Sequence, residues 1–303
     1  MADNLRGTWY ISPTPFADDG SVDAASLARV VEAATSWHVD GITILGVMGE
    51  VADLTSAERE IVLSTVAKTA VGTVPFAVGC SAPSAAVVRA NVTRAVELGA
   101  TAVMVSAPAL LKDTDQIGGF YRAAVGDCPV PVIVQDEPAA TGVTMPVSTL
   151  LAALDASRST VVKLEDPPTP PKIGRLLAQR AGLTIFGGLG GVSAYSELRR
   201  GAAGTMTGFA YPEILRAIRL AFEAGDPALA AALNDKFLPY LVFEGQARVG
   251  LGIRKEVLRR RGVITTARTR ALSPLSDEAT LAELDDVLSR VGLVPALAPL
   301  ELS

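Results

Sequence analysis

Six lysines occur in the chain. Lys68, Lys112, Lys172, Lys236 and Lys255 lie in polar or helical stretches, whereas Lys163 interrupts the apolar run Thr160-Val161-Val162-Lys163-Leu164. A lysine turned into a protein interior is desolvated, and moving its pKa from ~10.4 toward ~7 corresponds to ~4–5 kcal/mol of disfavoured charge. The chemistry open to such a group is that of an amine nucleophile. A neutral amine adds to a ketone to form a Schiff base, whose cationic nitrogen withdraws electrons from the neighbouring carbon. The alternative for Lys163 is an outward stem that covers a helix layer and keeps its head in water. Glu165 falls on the same side of a strand of period two, where it could move protons in a shared pocket or else pair with a loop cation. Asp166 faces the other way, precedes Pro167-Pro168, which end the strand, and is read as structural.

A second group is Gly46-Val47-Met48-Gly49-Glu50. Two glycines permit a tight turn whose N–H groups point at an anion such as a carboxylate, although the same spacing also describes an ordinary turn. Beyond it, Thr55 or Ser56 is positioned to cap a helix, with Glu58 following. The single histidine, His38, excludes zinc sites built on two or three histidines and most nucleophile–histidine–carboxylate arrangements. It follows Trp37 at the end of a helical pattern that begins at Ala24, so a helix stop or a surface position is expected. Cys80 and Cys128 lack Cys-x-x-Cys spacing and are read as small core residues in a reducing compartment.

These groups need a frame, and three stretches reveal its repeat. Trp37 to Gly46, Glu97 to Ser106 and Arg200 to Gly208 each run from a helix end through a glycine into a short apolar segment. Further apolar runs at Gly7 to Ile11, Val74 to Val78, Val130 to Val134, Thr160 to Leu164 and Leu183 to Phe186 bring the strand candidates to about eight. Runs without polar alternation suit parallel strands covered by helices. Eight strand–helix units in ~210 residues predict a (β/α)8 TIM barrel over 1–210, in preference to a doubly wound open sheet. Helical patterns at Glu213 to Glu223, Pro227 to Val242, Gly250 to Arg261 and Asp277 to Val291 predict a helical extension, 211–303, packed on the barrel without a linker. In such a barrel, reactive groups belong at the C-terminal ends of the strands.

Of 303 residues, 49% are apolar and 19% charged, enough for a large core, and 32 acidic against 27 basic residues give a net charge of −5. That balance argues against nucleic-acid and anionic-membrane partners. Charges, Gly or Pro interrupt every apolar stretch before the ~18 residues of a membrane span. The opening Met1-Ala2-Asp3-Asn4-Leu5-Arg6 has neither a basic n-region nor an apolar h-region, so a cytoplasmic location is expected.

In order and spacing, these pieces resemble the pyruvate-dependent Schiff-base lyases that include dihydrodipicolinate synthase and N-acetylneuraminate lyase. The resemblance covers essentially the whole chain. It rests on Gly46 to Glu50 as a Gly-x-x-Gly-Glu carboxylate loop, Thr141-Gly142 after the fifth strand, Lys163 on the sixth and the helical tail. It implies that Lys163 forms the imine, that no metal or organic cofactor is required, and that the chain is a homodimer or homotetramer acting on a small 2-oxo acid. Departures from the pattern narrow the reading. Val47 and Met48 stand where the family carries two threonines, leaving backbone donors alone. Gln135 in Gln135-Asp136-Glu137-Pro138 replaces the relay tyrosine, and Ala140 replaces the arginine of dihydrodipicolinate synthases, which argues against lysine biosynthesis. Gln135-Asp136-Glu137-Pro138, Lys163-Leu164-Glu165 and Gly204-Thr205-Met206-Thr207-Gly208 resemble the L-2-keto-3-deoxyarabonate dehydratase branch more closely, as do Leu238-Pro239-Tyr240-Leu241, Glu244 and Arg261-Gly262-Val263-Ile264. The Gly46 to Gly49 loop does not fit that branch.

The resemblance implies a dehydratase of a 2-keto-3-deoxy sugar acid. Lys163 would attack C2 and Glu165 would take a C3 proton. The N–H groups of Val47 to Gly49 would hold the carboxylate, and Gln135, Gly187 and Thr207 would line the pocket. The alternatives are a pyruvate-dependent class I aldolase and a non-catalytic 2-oxo acid binding protein. Replacement of the relay tyrosine by Gln135 favours dehydration over aldol cleavage.

Overall fold

The computed structural model describes residues 5–270 and 277–302. Met1 to Asn4, on which the expectation about the amino-terminal hexapeptide partly rests, lie outside the described residues, as do 271–276 and 303, which belong to the expected extension.

Eight short strands follow one another: β1 (Gly7–Ile11), β2 (Gly41–Ile44), β3 (Phe76–Gly79), β4 (Ala102–Ser106), β5 (Val132–Asp136), β6 (Val161–Leu164), β7 (Thr184–Gly187) and β8 (Gly204–Thr207). Each pairs in parallel with the next, and β8 pairs with β1, so the sheet closes into a barrel without edges. This is the predicted (β/α)8 barrel. The helices that return the chain are α1 (Ala24–Ser36), α2 (Ser56–Ala70), α3 (Ala85–Glu97), α4 (Thr114–Val125), a short α5 (Pro138–Thr141), α6 (Val147–Ala156), α7 (Thr169–Gln179), α8 (Ala194–Arg199) and α9 (Pro212–Glu223).

Side-chain alternation divides the core in two. Trp9, Ile11, Met104, Ile133, Val161 and Phe186 pack inside the barrel, whereas Tyr10, Val105, Val134, Val162, Leu164 and Ile185 pack outward against the helices. The indole of Trp9 fills so much of the interior that its register neighbour on β2 must be Gly41, where a Cβ would lie 2.6 Å from the ring.

Local signals start and stop the helices where expected. The Thr55 hydroxyl accepts from the Glu58 N–H at 3.3 Å and Glu58 accepts from the Thr55 N–H at 2.9 Å, a capping box that opens α2. After α1, Trp37 is the C-cap and exposed His38 takes the left-handed conformation, φ 57°. The helix α9, which the expected boundary at 210 assigned to the extension, instead completes the ring by packing on α8 and β1, and α10 (Pro227–Glu244), α11 (Gly250–Arg260) and α12 (Glu278–Arg290) follow it. Arg261 fastens this tail: its guanidinium lies between the rings of Trp37 and Tyr211 and bonds Glu213 at 2.6 Å and the Ala210 carbonyl at 2.6 Å. Among the described residues, no helix is long and apolar enough to cross a membrane.

Candidate active site

Strand parity decides which way Lys163 points. Val161 belongs to the barrel interior and Val162 and Leu164 to the outer layer, so Lys163 faces inward, 3% exposed. Its Nζ donates to Glu165 Oε2 at 2.5 Å. Register places Gln135 of β5 beside Lys163, and the Gln135 amide donates to Glu165 at 2.9 Å and to Glu137 at 2.8 Å. An amine, two carboxyl groups and the amide that joins them thus form one chain at the C-terminal mouth of the barrel. Burial and the nearby charge of Glu165 push the Glu137 carboxyl up to about 7, so it keeps its proton to near-neutral pH.

A cavity of about 350 Å³ opens over this chain, within the usual size range for small-molecule sites. Every wall comes from a strand end or the loop after it: Val47 and Met48 after β2, Glu137 after β5, Lys163 and Glu165 at β6, and Thr207 at β8. The tail closes the top, through Glu244 to Arg248 and residues of α11. A cleft of about 390 Å³ between α3 and α4 is as large, but its one thiol, Cys128, is pushed up by burial, away from the reactive thiolate. Cys80 is likewise held up to about 12 by burial.

The expected pocket residues are distributed as follows. Lys163, Glu165, Val47, Met48 and Thr207 line the cavity, and Gln135 sits beneath it as the support of Glu165. Gly46 and Gly49 form the ends of the turn at Val47–Gly49, where the Gly49 N–H donates to the Gly46 carbonyl at 3.0 Å. That bond removes one of the three expected anion donors and leaves the N–H groups of Val47 and Met48 without a partner among the described residues. Gly187 does not face the cavity. Phe186 points inward, so Gly187 points outward, where a Cβ would lie 1.7 Å from Glu197 Oε2. The glycine the pocket requires is Gly188, where a Cβ would meet Glu165 Cγ at 2.4 Å.

Two lysines assigned to polar or helical surroundings are buried instead. Lys172 reaches from α7 to Asp136 at 2.5 Å and Asp166 at 2.7 Å, binding the outer faces of β5 and β6. Asp166 therefore acts in packing, as its outward phase suggested. Lys255, fully buried on α11, pairs with Glu50 and donates to the Arg268 carbonyl at 2.8 Å. Glu50, the last residue of the Gly-x-x-Gly-Glu segment, is thus the anchor that holds the tail against the loop. The neighbour of Lys255, Arg254, turns to the cavity, with Nε on Glu244 at 2.6 Å. Arg254, in a helical pattern far from Lys163, carries no sequence signal of a site, and Glu137 lies within the Gln135-to-Pro138 segment without being marked as its functional member. Behind the wall, Glu197 accepts from the Thr169 hydroxyl at 2.5 Å, and burial pushes its carboxyl up to about 7.

Comparison with known proteins agrees with this geometry. A family model described as the dihydrodipicolinate synthetase family matches residues 4–290. The chain is 32% identical over 294 residues to the L-2-keto-3-deoxyarabonate dehydratase of Azospirillum brasilense, covering 94% of each. It is 28% identical to the 4-hydroxy-tetrahydrodipicolinate synthase of Acidobacterium capsulatum, covering 96% of this chain and 97% of that protein. Among solved structures, dihydrodipicolinate synthase from Rhodopseudomonas palustris superposes with a TM-score of 0.90 at 34% identity, covering 96% of this chain and 99% of that one. Family model, relatives and barrel geometry coincide over nearly the full length, and the chain belongs to the dihydrodipicolinate synthetase family of lyases.

Proposed function

We infer that this lyase dehydrates a 2-keto-3-deoxy sugar acid, such as L-2-keto-3-deoxyarabonate, through a Schiff base on Lys163. The observation that carries the reading is the chain Lys163–Glu165–Gln135–Glu137, which joins an amine to a base and to a second carboxyl that holds a proton near neutrality. Glu165, 2.5 Å from Nζ, takes a proton from the ammonium, and the free amine adds to the C2 ketone. Glu165 returns that proton to the carbinolamine hydroxyl, which leaves as water, and the iminium so formed acidifies the C3 protons. Glu165 removes one of them, and the enamine expels the C4 hydroxyl as water with the Glu137 proton. Hydrolysis of the imine frees Lys163, the proton gained by Glu165 passes through water to Glu137, and for 2-keto-3-deoxyarabonate the product isomerises to 2-oxoglutarate semialdehyde.

Aldol cleavage of the same imine requires a base at the C4 hydroxyl. Among the described residues no tyrosine lines the cavity, and the raised pKa of Glu137 suits an acid better than a base. The assay is product analysis with L-2-keto-3-deoxyarabonate. Dehydration gives the semialdehyde and no pyruvate; release of pyruvate with glycolaldehyde would assign the chain to the aldolases instead.

A further inference from the structure

We propose that Arg254 takes the C1 carboxylate of the 2-oxo acid, together with the N–H groups of Val47 and Met48. The side chain is held in one orientation from behind. Its Nε donates at 2.6 Å to Glu244, a fully buried carboxylate that also accepts from the Tyr240 hydroxyl at 2.6 Å and the Ala210 N–H at 3.2 Å. The other side of the guanidinium faces the cavity. There Nη1 meets only the thioether of Met48, at 2.9 Å, and Nη2 has no partner among the described residues. A thioether is a weak acceptor, whereas a guanidinium fork matches the two oxygens of a carboxylate.

Space and neighbours agree with that assignment. Gly190 and Gly208 flank the fork; a Cβ at Gly190 would crowd Nη2 at 3.2 Å, whereas one at Gly208 would lie in ordinary contact with Nη1 at 3.5 Å, so the lack of a side chain at Gly190 keeps the approach to Nη2 open. The turn at Val47–Gly49 contributes two unpartnered N–H groups but no side-chain hydroxyl. Its side chain at Met48 is the one Arg254 touches, so the turn and the guanidinium adjoin one another in the lining of the cavity. Lys255, the next residue, grips Glu50 at the end of the same turn, so α11 fixes the fork and the loop relative to one another.

The inference rests on the Schiff-base reading, and the test separates the two. Borohydride trapping is measured as a function of concentration for pyruvate and for its uncharged methyl ester, with wild type, Arg254→Met and Arg254→Lys, each checked for folding by thermal unfolding. A charge-assisted contact of this kind is worth about ten- to a hundredfold in binding. For Arg254→Met, the pyruvate concentration for half-maximal trapping should therefore rise by that factor, while that of the ester moves less than threefold. Arg254→Lys keeps a cation beside Glu244 but loses the fork, and should show a several-fold rise for pyruvate alone. It carries the test if the Met variant does not fold. An equal rise for acid and ester, or no rise for either, overturns the assignment of Arg254. Absence of any adduct in folded wild type overturns the Schiff-base reading itself.

Discussion

Replacing Gly188 by alanine tests the site with a single methyl group. The added Cβ would lie 2.4 Å from Glu165 Cγ, 2.5 Å from Oε1 and 2.6 Å from Cδ. Ordinary carbon contacts begin near ~3.5 Å, so the carboxylate must retreat by about 1 Å. Glu165 Oε2 stands 2.5 Å from Lys163 Nζ and 2.9 Å from Gln135 Nε2, and a shift of that size stretches both bonds to or beyond the limit of a useful hydrogen bond. A base displaced by about 1 Å loses on the order of 100-fold in rate, and the overpacking costs about 1–3 kcal/mol in stability. Gly188→Ala should therefore lower kcat about 100-fold, read as semialdehyde formed, while the folded variant still forms a borohydride-trapped imine. The control is one residue away. A Cβ at Gly187 strikes Glu197 on the outer side of the wall, so Gly187→Ala should lose stability and spare the kcat of the folded fraction. A Gly188→Ala enzyme within threefold of wild-type kcat would refute the role given to Glu165.

Three further outcomes follow from the charges. Glu137 acts in its protonated form, so kcat should fall as pH rises through about 7; Glu137→Gln should lower kcat on the order of 100-fold or more and remove that limb from the pH profile. Glu197 also has a folded pKa raised by burial, to about 7 from 4.5, so its contribution is complete below 4.5 and lost as pH rises through about 7. Wild type should lose up to roughly 3 kcal/mol on this account, and the stability of Glu197→Gln relative to wild type, measured by urea unfolding, should improve from pH 5 to pH 8; a pH-independent difference would contradict it. Lys255→Met removes the buried cation that faces Glu50 and should destabilise by about 3–5 kcal/mol in thermal or urea unfolding, with partial recovery when Glu50→Gln is added.

Much of this architecture is written locally in the chain. Continuous apolar runs bounded by glycine mark the buried parallel strands, and Gly7–Ile11 coincides with the expected segment. A lysine inside such a run, with a carboxylate two residues on, is conspicuous because period two gives both one face; Lys163 and Glu165 share a cavity accordingly. The phase of a run is harder to read than its existence. Nothing in Leu183 to Phe186 says which residue points inward, and the shift by one between Gly187 and Gly188 exchanges the cavity for the helix layer. Partners distant in sequence are not legible at all. Lys172 and Lys255 look solvated in helical patterns, yet each is buried against carboxylates from other elements, and Arg254 reaches the pocket because α11 folds back over the barrel mouth. The proline-flanked Glu137 looks like a turn residue until Gln135 links it to Glu165.

The proposed chemistry stands or falls with Lys163 as the nucleophile. Intact-mass and peptide analysis after borohydride reduction with L-2-keto-3-deoxyarabonate or pyruvate tests it directly. One adduct per chain is expected, on the peptide that contains Lys163, and none in a folded Lys163→Ala variant. An adduct on another lysine, an adduct that survives Lys163→Ala, or no adduct in folded wild type with either compound would contradict it.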